Sequence, residues 1–600
     1  LKEQAVPAGL NIIRPGFTQY MYRLSKRKVE AAIAENMQNN NGYPRVAYFC
    51  MEFGLHERLP IYAGGLGVLA GDYLKAAKDL NLPLVGIGIL WRHDYTEQFI
   101  GEDGWPYDIY PNYDYDFVKD TGITISVPVQ GEEVVCKVRV VDQYGNAPLY
   151  LLDTNFPGSK HGWITNKLYG GGSHERIAQE IILGIGGVRL LRALNIEVDV
   201  YHFNEGHAIM AGLEMVRERM NDGQSFEDAW LATRRQVVFT THTPVEAGNE
   251  KHSHSELQEM GAYNGLSYEQ LNRLGGDPFN MTEAALRLCG VANAVSNLHG
   301  HTARAMWRHV ADTGPIISIT NGVHVPTWQM PEIRHAFETG GDIQKSHMRA
   351  KMELIEFARK HTDAVLNPDA LLVGFARRAT GYKRSDLIFR NTEAIDPLLQ
   401  EGKIQLIFSG KAHPKDVEGK KIIQDLVKMD RKYKDSVVFL ENYNMEIASL
   451  MIRGCDVWLN NPIRPLEASG TSGMKAAVNG VLNLSVVDGW VGEGPQHGVS
   501  GWLLDSHVTS NDHNEQDVND LQALYKVLLT EVIPTFYEQP DRWVDMMQAS
   551  IDMAHYKFSS SRMIREYYEL MYSRVIEQRD AVTAPWMIPV RSPGEQPRIQ

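Results

Sequence analysis

The chain has 600 residues, 43% of them hydrophobic and 22% charged, with a net charge of −14. That length exceeds a single hydrophobic core and predicts two or more domains in an ordinary soluble globular chain. The acidic balance excludes general affinity for nucleic acid or anionic membranes, while a locally basic site for an anionic substrate stays open. No signal peptide and no membrane-length apolar run is visible, so a cytoplasmic protein is expected. Cys50, Cys136, Cys289 and Cys455 lie far apart in apolar runs and read as reduced core residues, not disulfides or a zinc site.

Residues 1–15, with Pro7, Gly9 and Pro15, read as a loose arm, and residues 17–38 as a helix stopped by Asn39, Asn40, Asn41 and Gly42. The run from Arg45 to Phe53 has the β-branched and aromatic content of a buried strand. Gly64, Gly65 and Gly67 then make a strand-to-helix turn, with the helix from Val68. Such a turn brings backbone N–H groups close to a ligand, although a tight βα connection needs the same glycines. Leu84 to Trp91 is another strand, residues 123–153 alternate as an antiparallel insertion, and helical periodicity runs from Glu175 to Leu194. Asn204, Glu205 and His207 follow one strand and His242 the next, at the edge where open α/β sheets bind ligands. His252 and His254 lack further ligands at metal spacing, read as surface residues, and leave no metal site expected. A strand ending at Asn321-Gly322 closes the first half, with Pro326 and Trp328 just beyond the boundary.

The second half alternates strand and helix. Residues 371–389 form a strand that leads into Arg377, Arg378, Tyr382, Lys383 and Arg384, four cations within eight residues. Arginine clamps phosphate oxygens through paired hydrogen bonds and lysine acts as a point charge. A solvated basic helix start has the same look, but cations there oppose the helix dipole and call for an anion. Strands from Ile404 and Val437 follow, the second leading to Tyr443. Residues 512–580 read as helices with Trp543 in the core, and Pro585, Pro589, Pro593 and Pro597 mark an extended tail from Thr583.

Between these lies the stretch 466–490. Glu467 precedes a small-residue loop, Ser469, Gly470, Thr471, Ser472 and Gly473, and a helix carries Lys475 in its first turn among Met474, Ala476, Ala477 and Val478. A loop of this kind entering a helix presents N–H groups to a phosphate. A lysine in apolar surroundings loses proton affinity, and a neutral amine can form a Schiff base. Together they point to pyridoxal phosphate. From spacing alone, a glycine-rich turn before a helix with one solvated lysine is the favoured reading.

Glu-Ala-Ser-Gly-Thr-Ser-Gly-Met-Lys at 467–475, followed by Asn479-Gly480, resembles the pyridoxal-phosphate lysine segment of the α-glucan (glycogen, starch, maltodextrin) phosphorylases, in their shorter microbial type. The resemblance covers roughly residues 45–505 in the same order and is strongest at 371–389 and 437–490. It implies an α/β fold of two Rossmann-like domains facing across a cleft (the GT-B type). Residues 1–322 would form a glucan-binding domain with the antiparallel insertion, residues 323–582 a cofactor- and phosphate-binding domain, and residues 583–600 the tail. The implied reaction is reversible phosphorolysis of α-1,4-glucan by orthophosphate, giving α-glucose 1-phosphate with retention. Lys475 would carry pyridoxal 5′-phosphate, with Arg377, Gly470, Thr471, Ser472, Tyr443 and Trp328 around it. Arg378, Lys383, Gly65 and Gly67 would hold the substrate phosphate. His242, Asn321, Glu467, Ser469, Gly470, Tyr382 and His207 would contact the sugar. Longer family members often have lysine where Arg377 stands, so charge is kept and hydrogen-bond geometry is not. The family is often dimeric. The competing readings are a nucleotide-sugar-dependent glucosyltransferase of the same architecture, which shares the glycine turn and cationic loop but does not need Lys475, and a glucan-binding relative without catalysis.

Overall fold

The computed structural model describes residues 42–93, 95–505 and 512–577. The expected N-terminal arm, the helix over 17–38 and the Pro-rich tail lie outside them.

Two sheets organise the molecule. The first contains Val46–Phe49 (β1), Leu84–Ile89 (β2), Lys119–Val129 (β3), Glu132–Val141 (β4), Leu149–Asp153 (β5), Val200–Asn204 (β6), Val237–Thr240 (β7), Val291–Ala294 (β8) and Ile316–Ser318 (β9). Their spatial order is β9-β8-β7-β6-β1-β2-β5-β4-β3. The strands from β9 to β5 pair in parallel, and β4 and β3 continue the edge antiparallel. The expected antiparallel insertion therefore extends the sheet, and its last member, β5, is a parallel neighbour of β2.

The second sheet is wholly parallel: Leu371–Ala376 (β10), Ile404–Ser409 (β11), Val437–Leu440 (β12), Val457–Asn460 (β13), Leu482–Val486 (β14) and Gly501–Leu504 (β15), in the order β12-β11-β10-β13-β14-β15. Buried on both faces, these strands read as continuous apolar runs such as LLVGFA and IQLIFS. In each sheet the first strand of the half lies between strands of opposite winding. That is the switch point where loops at the strand C-termini part and leave a crevice.

Four helices position the crevice: Gly65–Asp79 (α1), Val325–Trp328 (α2), Thr471–Ala477 (α3) and Ser560–Tyr567 (α4). Helix α1 starts at Gly65, earlier than expected from Val68, because glycine adopts the turn and first-turn positions without steric cost. The cationic run after β10 is a loop with a 3-10 turn at Gly381–Lys383 rather than a helix start.

Chain connectivity departs from the expected halves at the C-terminus. Residues 323–582 were assigned to one unit, yet Met563, Tyr567, Met571 and Tyr572 are buried in the core of the first sheet. Tyr572 Oη lies 2.7 Å from His202 Nδ1, and Asn293 Nδ2 donates to Tyr567 Oη at 3.0 Å. Helical periodicity shows that a face is buried, not against which sheet. The two crossings between halves run side by side: Val323 N–H donates to Phe558 O and Ser560 N–H to Val323 O, both 2.8 Å. A Cβ at Gly322 would stand 2.3 Å from Ser559 O, so only glycine lets the crossings approach this closely.

A hairpin absent from the sequence reading, Glu97–Ile100 with Pro106–Ile109, also spans the halves. Lys420 Nζ reaches Asp108 at 2.6 Å, and Ile100 N–H donates to Glu441 at 2.8 Å. No helix among the described residues is long and apolar enough to cross a membrane.

Candidate active site

The C-terminal ends of the strands converge on one cavity of about 530 Å³ between the sheets. Glu52 lies beyond β1, Glu205 and His207 beyond β6, His242 and Thr243 beyond β7, and Asn321 beyond β9. From the second sheet come Arg377 and Arg378 after β10, Lys411 after β11, Tyr443 after β12, and Glu467 to Lys475 after β13. Gly65, at the start of α1, faces them. The adjacency follows from topology, since parallel strands put all their C-termini on one edge.

The second-sheet wall is a cation cluster built around one carboxylate. Glu467 is buried and paired with both Arg377 and Lys383, and Arg377 also donates to Asn460 Oδ1. Burial by itself raises a carboxyl; here the Arg377 and Lys383 charges overcome it and hold Glu467 at about 2. Arg378 makes no ion pair among the described residues. Its guanidinium stands 5.6 Å from the Tyr95 ring and 3.1 Å from where a Cβ on Gly64 would be. Arg384, the fourth cation, faces away: it is fully buried and bound by Asp517, Asp520 and two carbonyls.

Lys475 sits in the second turn of α3, not the first, and is buried. Its Nζ lies 4.0 Å from the centre of the Trp328 ring. Burial lowers its pKa to about 8, with smaller opposing effects of Asp72 and Lys75. The loop before it is held from behind. Asp488 accepts the Glu467 N–H at 2.9 Å, and Trp490 N–H donates to Ser469 O at 3.0 Å. Gly470 adopts the left-handed conformation (φ +88°), which is why a glycine stands there.

The first-sheet wall is hydrogen-bonding, with an uncharged histidine beside two donor-bound carboxyl groups, Glu52 and Glu205. His242 Nε2 donates to Asn204 Oδ1 at 2.6 Å, which leaves Nδ1 as an acceptor. Burial, with His299 and His207 nearby, lowers His242 to about 3, so the ring is uncharged at neutral pH. Glu205 holds a positive φ of 73° and accepts from the N–H groups of Gly206 and His242 and from Thr243 Oγ1. A non-glycine residue in that region is strained and persists because these three donors fix it. The buried atoms His207 Nδ1, Asn321 Oδ1 and Ser469 Oγ have no protein partner.

A family model described as carbohydrate phosphorylase matches residues 330–493. The chain is 38% identical to the maltodextrin phosphorylase of Thermococcus litoralis over 91% of its own length and 73% of that protein. It is 39% identical to a glycogen phosphorylase of Mycobacterium tuberculosis (88% and 70%) and 34% identical to one of Aquifex aeolicus (89% and 87%). The chain belongs to the carbohydrate phosphorylase family.

In this phosphorylase-family chain the cavity gathers the residues expected around cofactor, phosphate and sugar except Gly67, while Arg384 and Asn204, also singled out in the sequence, do not line it. Gly67 is a packing position instead: a Cβ there would meet Tyr62 Cβ at 2.6 Å and Glu52 Oε2 at 2.7 Å. Glu52 was missed. It accepts the N–H groups of Ala63 and Gly64 and the Tyr169 hydroxyl at 2.6, 3.1 and 2.7 Å, so it holds the glycine turn and takes part of its donor capacity. Its position just past β1, like Glu205 past β6, was the available signal. Lys411, Tyr95 and Thr96 also line the cavity and carried no motif.

His252 and His254 are buried, contrary to the surface expectation. His252 Nε2 lies 2.9 Å from Glu180, and with Glu250 these side chains offer ligand atoms within 4.8 Å of one another. Arg176, 2.8 Å from Glu250 and 3.5 Å from Glu180, supplies one positive charge against these two carboxyl groups, and His252, whose pKa is raised beside Glu180, supplies a second when protonated. The cluster is thus a buried ion-pair network. The cysteines are all buried and free.

Proposed function

We propose that the chain catalyses reversible phosphorolysis of α-1,4-glucans such as maltodextrin or glycogen, giving α-D-glucose 1-phosphate with retention. The observation that carries this reading is one cavity in which a buried, weakly basic lysine and a cation cluster face a glycine turn and a hydrogen-bonding wall. The relatives named maltodextrin and glycogen phosphorylase support it. The architecture is best read as two Rossmann-like domains of the GT-B type meeting near residue 322, with α4 returned to the first.

The residues fit pyridoxal phosphate. Lys475 supplies a buried amine under an aromatic ring, Ser469 Oγ is an unpaired buried donor, and a Cβ on Gly470 would enter the space beside Arg377, 3.7 Å from Nη2. Bound there, the cofactor would supply a phosphate group able to give and take a proton beside the substrate phosphate. Arg377, Tyr443, Thr471 and Ser472 would surround it.

Arg378 and Lys383, with the N–H of Gly65, hold orthophosphate by charge-assisted hydrogen bonds. Asn321, His207 and the Nδ1 of His242 orient the sugar through hydroxyl hydrogen bonds, with Glu467, Ser469 and Tyr382 on the opposite wall. Orthophosphate donates its proton to the glycosidic oxygen, the C1–O bond breaks, and a phosphate oxygen bonds C1 on the same face. A two-carboxylate hydrolysis is disfavoured because Glu52, Glu205 and Glu467 are each bound by neighbouring donors.

The test is phosphate-dependent release of glucose 1-phosphate from maltodextrin by purified protein, with borohydride fixation and peptide mapping of the cofactor to Lys475. Transfer from a nucleotide sugar in place of phosphorolysis, or glucan binding with neither activity, overturns it.

A further inference from the structure

The Lys475 amine is covered from the far side of the cavity. Trp328 Nε1–H donates to both oxygens of Asp72 on α1, at 3.0 and 2.9 Å, and the His324 backbone N–H donates to Asp72 Oδ2 at 3.1 Å. One turn on, Lys75 Nζ donates to Thr327 Oγ1 at 3.1 Å. The same hydroxyl lies 2.8 Å from His324 Nδ1, and His324 Nε2 reaches Asp79 at 2.8 Å. Positions 72, 75 and 79 share one face of α1, so one helix of the first half grips the whole of α2. The backbone of Trp328 is tied to the other half, its carbonyl accepting from Asn479 Nδ2 and Arg453 Nε, both at 3.0 Å. The ring is thereby clamped between halves with its face toward Lys475 Nζ.

Asp72, Lys75 and Trp328 are all buried. A charge buried in this way is poorly screened. Asp72 favours the ammonium form of Lys475 and Lys75 opposes it, beyond the larger effect of burial. The other charged groups facing this region are Arg377, Arg378, Lys383 and Glu467 across the cavity, and Arg453, His324 and Asp79 around α2.

We propose that Asp72 and Lys75 are positioning residues for Lys475: Asp72 locks the Trp328 ring over the amine, and the two opposite charges, anchored on α2, bias the amine's reactivity. The helix that opens with the glycine turn at the phosphate side therefore also governs the cofactor side. This rests on Lys475 being the attachment point in the proposed function.

The experiment strips the cofactor from the full chain, adds pyridoxal phosphate, and follows attachment at Lys475 by absorbance against pH, with peptide mapping. Only the neutral amine attacks the aldehyde, so the rate rises with pH through the amine's own midpoint. D72N removes a negative charge and is expected to lower that midpoint by about half a pH unit or more; K75M removes a positive one and is expected to raise it by about as much. A general loosening of the fold does not move the two in opposite directions, and K75M decides by itself if D72N fails to fold. Wild-type attachment with both midpoints unmoved, or moved the same way, overturns this inference alone. A wild-type chain that takes no cofactor at Lys475 overturns the proposed function and this inference with it.

Discussion

At the scale of single residues, Glu467 is the most loaded group in the cavity. Its carboxyl is held at about 2, below the ordinary 4.5, by Arg377 and Lys383. A depressed carboxyl stabilises the fold above its unfolded pKa, and that stability is lost as pH falls toward 2. The window is therefore about pH 4.5 to 2, with about 3 kcal/mol at stake. Chemical unfolding at pH 7 and pH 3 is expected to show about 2 kcal/mol of this loss in the wild type and a flatter response in Glu467→Gln, whose neutral amide has no proton to gain. Arg378 is the cation without a carboxylate partner among the described residues. Arg378→Ala is accordingly expected to leave the melting temperature nearly unchanged and to lower kcat/KM for phosphate roughly 10- to 100-fold, the worth of one charged hydrogen-bonding group. An equal loss for glucan and phosphate KM would assign it a different place. That a cation run and a small-residue loop exist was legible because those residues cluster in the sequence. The pairing of Glu467 with the cations was not, since 90 residues separate Arg377 from Glu467.

At the scale of elements, the turn into α1 shows that identical residues serve different ends. A Cβ on Gly65 meets nothing within 4 Å, whereas one on Gly67 strikes Tyr62 and Glu52. Gly67→Ala is expected to destabilise the protein by about 1–3 kcal/mol through overpacking. Gly65→Ala is expected to change stability by less than about 0.5 kcal/mol while weakening phosphate binding, because its methyl enters the cavity. Paired thermal melts and phosphate titrations separate the two, and equal destabilisation of both variants would contradict this division. The glycine pattern announced a turn. Which glycine faces the ligand depends on the rotation of α1 against β1, which local sequence does not contain. The hairpin at Glu97–Ile109 was missed for a related reason: its strands are four residues each, and their bonds go to the other half.

At the scale of the whole molecule, the returning helix α4 makes the first half incomplete by itself. Tyr567, Met571 and Tyr572 fill its core, and single large-to-small changes at such sites cost about 3–5 kcal/mol, comparable with a domain's net stability. A fragment of residues 42–322 is expected to lack a cooperative unfolding transition, and a fusion that appends residues 558–577 is expected to regain one. Cooperative unfolding of the shorter fragment would show that the return is dispensable. Sequence alone determined the alternation of strands and helices, the cation run and the lysine loop, because each is written in local periodicity, turn residues or short spacing. Tertiary structure decided that Glu467 pairs with both Arg377 and Lys383, that His252 and His254 are buried, that Gly67 packs and Gly65 faces the cavity, and that residues 560–572 belong with the first sheet. These depend on which apolar faces and charges meet across long stretches of chain, and burial energy rewards any such meeting that closes a core without specifying it locally.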